Sequence, residues 1–211
     1  MNQLINMKKI MFNDKYGLTE SVLNGTKTQT RRVVTEAYTG FGLPTNIDVE
    51  NMIHFEYQSK SAYAKPLYIV DEVVAVAQRY TDFRMPNGDV TNDFYKLCCK
   101  HHMPFECLSG EVGMTNKMFV KAELMPHHIR ITNIRIERLQ DISDEDCLAE
   151  GISRVDFALN RGSYSFRFEN EWYKQYHTPR EAYATLIDKF SGKGAWDSNP
   201  YVFVYEFVKV D

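Results

Sequence analysis

Three stretches of this sequence carry side chains able to do chemistry. Cys98-Cys-Lys-His-His102, followed by Cys107, gathers thiols and imidazoles, which are zinc's preferred ligands. The spacing matches no common pair-of-pairs pattern, and no second Cys/His cluster completes four ligands. No metal is therefore expected, and no other cofactor. The second stretch, Thr26-Lys-Thr-Gln-Thr-Arg-Arg-Val-Val34, interleaves hydroxyls with cations. The third places Arg130, Arg135 and Arg138 along an isoleucine-rich run. With aromatics such as Tyr16, Tyr38, Phe41, Trp172, Tyr173, Tyr176 and Trp196, such a basic surface could stack and hold RNA.

The elements that position these residues read as a β-rich framework with a few marked helices. Ile10-Met-Phe12 suits a buried first strand. A helix is expected over Leu18 to Asn24, stopped at Gly25, and a loop then runs into a strand through Val34. Residues 36–66 and 81–120 are weakly patterned and read as insertions. Leu67 to Val70, then Val73 to Ala77, reads as a turn between strands or an entry into one. In Ile129–Glu137, isoleucines alternate with arginines and the phase slips at Thr132-Asn133, as a β-bulge would cause.

Ser143-Asp-Glu-Asp146 opens a short helix, with a capping serine and acids at its positive end, and Gly151 stops it. Thr178-Pro-Arg-Glu181 carries a capping box with proline in the first turn, and that helix ends at Gly192. Tyr201 to Val210 is apolar on both faces, as a central strand covered on both sides should be.

Composition bounds the rest. Over 211 residues, 25 Lys+Arg against 28 Asp+Glu give a net charge of −3, with 44% hydrophobic residues. That excludes wholesale disorder and any global basic field. One domain spanning 1–211 is expected, of α+β class. No apolar run reaches the length of a membrane span, and four unevenly spaced cysteines suit a reducing, cytoplasmic setting.

Three pieces, in order, resemble one family. Leu23-Asn-Gly-Thr-Lys-Thr-Gln-Thr-Arg-Arg32 resembles the entry of ASCH domains, members of the PUA-like superfamily. Ile134-Arg-Ile-Glu-Arg-Leu-Gln-Asp-Ile-Ser143, continuing through Ala149-Glu-Gly-Ile152, resembles the middle strand and short helix of the phage-associated branch. Gly192-Lys-Gly-Ala-Trp-Asp-Ser-Asn-Pro-Tyr-Val-Phe-Val-Tyr-Glu-Phe207 resembles that branch's closing strand. Where the family has Gly-Asp and then an apolar-Arg-Glu stretch, this chain has Val70-Asp-Glu72 and Ala75-Val-Ala-Gln78.

The resemblance implies a β pseudo-barrel of mixed or antiparallel strands flanked by a few helices, with a cleft facing the first helix. It further implies a nucleobase or RNA ligand. Some short members hydrolyse N4-acetylcytidine with a lysine, a threonine three positions later and a glutamate past the middle strand. Carried over, these are Lys27, Thr30 and Glu150, with Thr28, Arg31 and Arg32 as ligand-binding neighbours. Threonine becomes a nucleophile only when a base takes its proton, and lysine is that base only as a neutral amine. Arg31 and Arg32 could supply the charge that lowers its pKa. Glu150, at a helix C-terminus, could carry a proton.

Two readings of other classes stand beside this amidohydrolase: a non-catalytic RNA-binding module and a phage-derived accessory protein. In the plainest reading, Lys27, Arg31 and Arg32 are a solvated strand edge guarded by charge.

Overall fold

The computed structural model describes residues 7–34, 44–47, 53–57, 60–157, 160–169 and 171–211. The framework begins with β1 (Lys9–Ile10), α1 (Leu18–Leu23) and β2 (Gln29–Val33). Next come three short strands, β3 (Pro44–Ile47), β4 (Ile53–Tyr57) and β5 (Lys60–Ala64), which pair antiparallel in that order. Then β6 (Val73–Val76) returns to the framework. Two helices follow, α2 (Asn92–Lys100) and α3 (Phe105–Leu108), before the long β7 (His128–Arg138). After α4 (Asp144–Ala149), β8 (Ser153–Phe157) and β9 (Asn160–Ser165) form a hairpin. The small ladder of β10 (Arg167–Phe168) and β11 (Glu171–Trp172) leads to α5 (Pro179–Ser191) and the closing β12 (Tyr201–Lys209).

Among the described residues the main sheet has five strands in the order β1-β6-β7-β12-β2. It is mixed, because β1 runs parallel to β6 while the other pairs are antiparallel. The α+β class is thus as expected. β1 and β2 are its two outer strands, so the sheet is open among the described residues and no closed barrel forms.

β12 lies between β7 and β2, and its Tyr-Val-Phe-Val-Tyr run is buried on both faces. The slip expected at Thr132-Asn133 is present: Glu206 opposes Asn133 but Phe207 opposes Ile131, leaving Thr132 as the extra residue. β1 is shorter than the expected strand and stops at Ile10.

The buried residues fall into two clusters that share β6. Val74 and Val76 join the larger cluster, with Phe12, Leu18, Ile129, Leu186 and Phe203. The alternating Ala75 and Ala77 join the second, with Tyr80, Phe83, Phe94, Cys98, Leu108 and Met125. Successive strand residues point to opposite faces, so one strand feeds both. The stretch near 81–120 is therefore less irregular than its pattern suggests. In α2, Phe94 and Cys98 are buried at helical spacing, and Phe94 stacks on Phe83 at 4.5 Å. Among the described residues, no helix is long and apolar enough to cross a membrane. Tyr38 and Phe41 lie outside the described residues.

Candidate active site

β2 is an outer strand, and its register on β12 fixes where its side chains go. Arg31 pairs with Val204 and, through it, with Arg135 of β7, so these three share one face. Thr30 pairs with Tyr205 and Ile134 and points to the other face, as Arg32 does beside Phe203. Three consecutive strand residues can line one cavity only where it wraps the strand's free edge. Such a cavity, of about 430 Å³, is lined by Lys27, Thr30, Arg31, Arg32 and Glu150. Phe12, Leu18, Tyr183, Leu186 and Phe190 add apolar wall, and Asp14, Lys15 and Lys117 add charge.

Local structure brings the polar groups there. The turn after α1 passes Gly25 at φ +79° and returns the chain so that Lys27 N–H donates to the Ser21 carbonyl at 2.9 Å. The neighbouring Thr28 N–H donates to the Ala149 carbonyl at 2.9 Å, tying the start of β2 to the end of α4. Ser143 caps α4 by accepting from Asp146 N–H, as its position predicted. Gly151 then takes φ +106°, and a Cβ there would meet Leu18 Cδ2 at 3.2 Å and Lys27 Cδ at 3.7 Å. Glycine is required at this point by both conformation and space.

The result is a buried ion cluster. Lys27 Nζ donates to Glu150 Oε2 at 2.5 Å and to the Glu150 carbonyl at 2.7 Å. Arg31 donates to Glu150 Oε1 at 3.1 Å, to Glu137 Oε1 at 2.6 Å and to Asp146 Oδ2 at 2.8 Å. Arg135 extends the network to Glu137, Asp146 and Glu206, and Gln29 donates to Asp146 Oδ1 at 2.8 Å. Three cations thus face four carboxylates, with Lys27, Arg31 and Glu150 buried at the centre and Arg135, Asp146 and Glu206 reaching toward solvent.

Burial is the largest influence on Lys27 and lowers its pKa from 10.5; the Glu150 charge opposes it, and Arg32 and Arg31 push the same way as burial. Burial also works against the Arg31 charge, but Glu150 and Glu137 outweigh it and Arg31 stays a cation. Burial first, then the Glu150 charge, raises the Tyr183 pKa well above 10.0.

The structure thus brings Lys27, Thr30, Glu150, Arg31 and Arg32 to one cavity. It does not bring Thr28 there: that residue is exposed and outside the lining. A solvated strand edge does not describe the group either, since Lys27, Thr30 and Arg31 are all under a tenth exposed. Arg31 is locked among three carboxylates, whereas Arg32 donates to the Met11 carbonyl at 2.6 Å and sits 6.0 Å over the Phe12 ring. Nor does Glu150 simply face helix-end carbonyls. Lys27 takes its own carbonyl as well as its carboxylate, so pairing replaces the modest end effect.

No protein family, no curated protein and no solved structure matches this chain.

Several contributors escaped the sequence reading. Glu137 was visible only as an acid ending an alternating strand, and Asp146 only as a helix-start acid. Tyr183 is one of the buried residues of α5, with nothing local to mark it as cavity wall. Lys117 had no signal at all; it reaches back to donate to the Phe12 carbonyl, to Asp14 Oδ1 and to Thr19. Away from the cavity, Cys98 and Cys147 are buried, Cys99 and Cys107 are exposed, and all four are free. Among the described residues, no three His, Cys, Asp or Glu side chains gather as a metal site.

Proposed function

We propose that the cavity at the β2 edge binds a nucleobase and hydrolyses the amide of an N4-acylated cytidine. Thr30 is the nucleophile, Lys27 its base and Glu150 the proton carrier. The reading takes the chain as an ASCH domain whose open sheet is a PUA-like pseudo-barrel, acting in the cytoplasm on a modified nucleoside or RNA. One observation carries it: Lys27 and Glu150, separated by 123 positions, meet as a buried pair in the cavity that Thr30 also lines.

The chemistry follows from the pair. Burial disfavours the Lys27 ammonium, and Glu150 Oε2, 2.5 Å from Nζ, is within reach of the proton whose loss makes Lys27 a base. Among the described residues the Thr30 side chain has no hydrogen-bond partner, so its hydroxyl is available to substrate. As Thr30 Oγ1 attacks the acyl carbon, its proton passes to Lys27 Nζ. When the C–N bond breaks, the leaving nitrogen of cytidine takes a proton from the pair. Water then attacks the acyl-threonine, releasing the acid and restoring the hydroxyl. A cavity of about 430 Å³ falls in the range that holds small molecules, on the order of 300–1,000 Å³.

A second reading is a non-catalytic RNA-binding module. The closed cluster, in which Lys27 and Arg31 already have carboxylate partners, favours its non-catalytic part. The two part on one assay: purified protein with a panel of N4-acylated cytidines, beside Lys27→Met, Thr30→Ala and Glu150→Gln. Release of cytidine that each substitution abolishes supports the hydrolase. No release, with salt-sensitive RNA binding, moves the reading to the binding module.

A further inference from the structure

A second cavity, of about 690 Å³, adjoins the first on the other side of Arg31 and Phe190, which line both. Its floor is Val33, Val34, Val202 and Leu139, and its rim is the loop from Gly192 to Pro200. Its charges have one sign. Arg31, Arg138 and Lys193 line it, and no carboxylate does. Arg31 is neutralised inside the ion cluster, but Arg138 and Lys193 are not. Among the described residues, neither lies within ion-pair distance of an acid.

Arg138 is held in place rather than spent. Its guanidinium lies 3.7 Å over the Tyr201 ring and donates to the Asn199 carbonyl at 3.1 Å, which leaves further N–H groups for a ligand. On the rim, Gly192 and Gly194 both take positive φ, and a Cβ at either would meet nothing within 4 Å. A lysine on an open rim beside a fixed arginine, with no carboxylate in the lining, is suited to an anion.

We infer that this second cavity binds the phosphate of a nucleotide whose base occupies the first. The inference deepens the proposed function and rests on it for the base, while the phosphate site stands on its own residues. The ligand is then a nucleotide, free or as a unit of RNA, rather than an uncharged nucleoside. The shared wall at Arg31 and Phe190 is where the sugar would lie.

Calorimetric titration of the full chain with ribose 5-phosphate, cytidine, cytidine 5′-monophosphate and a short oligoribonucleotide tests this. The monophosphate should bind about tenfold tighter than cytidine, the advantage of one charge-assisted anion contact. Lys193→Glu should bring that ratio to about one and abolish ribose 5-phosphate binding. Because Lys193 is exposed on a loop, this variant should fold, which circular dichroism checks. Ribose 5-phosphate binding without cytidine binding would keep the phosphate site and sink the base-pocket reading. A monophosphate no tighter than cytidine, an unchanged ratio in Lys193→Glu, or no ribose 5-phosphate binding would each overturn the inference. If the oligonucleotide exceeds the monophosphate, RNA is the source of the phosphate; if it does not, the free nucleotide is.

Discussion

At the scale of single residues, the buried pair decides most of what can be measured. Removing Lys27 leaves Glu150 facing Arg31 alone inside the protein. Lys27→Met should therefore cost ~3 kcal/mol of stability, the lower end for breaking a buried pair, because Arg31 still reaches Glu150 Oε1. Replacing both partners, Lys27→Met with Glu150→Leu, removes both desolvation demands. Urea unfolding should find the double variant less destabilised than the sum of the singles; simple additivity would show that the pair is not coupled.

The pH dependence has a definite sign. Burial lowers the Lys27 pKa below 10.5, so between the folded value and 10.5 the unfolded chain binds more protons. The contribution of this group to stability grows as pH rises through that window and is lost as pH falls through it. Lys27→Met should flatten that limb of an unfolding-versus-pH curve, and an unaltered limb would assign it elsewhere. Cys147 offers a simpler check. Burial pushes its thiol up to about 12, so with Cys98 it should resist a thiol reagent in the native protein, while exposed Cys99 and Cys107 react.

At the scale of elements, α4 is a six-residue helix whose task is to deliver Glu150, and its two ends should fail differently. Ser143→Ala removes one cap bond and should cost about 1 kcal/mol while leaving Glu150 in place. Gly151→Ala forces φ +106° on an L residue and presses a methyl on Leu18 and Lys27, a strain on the order of 1–3 kcal/mol. Thermal unfolding and turnover measured together should show Gly151→Ala losing far more activity than Ser143→Ala; equal losses would mean that the Glu150 position is not critical.

This is also where the sequence was most legible. Ser143, Gly151 and the Thr178–Glu181 capping box each have a local cause, a side chain or a missing Cβ acting within four residues. The same holds for Gly25 after α1. The Arg31 cluster was not legible, because Glu137 and Asp146 reach it only through the pairing of β7 with β12 and β12 with β2. Likewise α2 lay in a stretch that read as irregular, because only Phe94 and Cys98 are buried along it.

At the scale of the whole molecule, one strand divides two cores, and the chain uses both to frame the cavity. The second core, from Tyr80 to Met125, sends Lys117 back across to the Phe12–Thr19 segment, whose residues form one cavity wall. Lys117→Met should speed amide hydrogen exchange in residues 12–19 while leaving β7 and β12 protected; unchanged exchange there would show that the second core does not brace the wall. The framework's outer strand β2 remains the organising feature, since only an edge lets Thr30, Arg31 and Arg32 serve one cavity from two faces.

The central claim is that Thr30 takes an acyl group from cytidine under the control of Lys27 and Glu150. The most direct measurement is mass spectrometry of protein quenched during reaction with an N4-acylated cytidine. The account predicts a mass increase of one acyl group, mapped by peptide fragmentation to Thr30 and absent in Thr30→Ala and Lys27→Met. Cytidine release with no adduct at Thr30, or full turnover by Thr30→Ala, would contradict it.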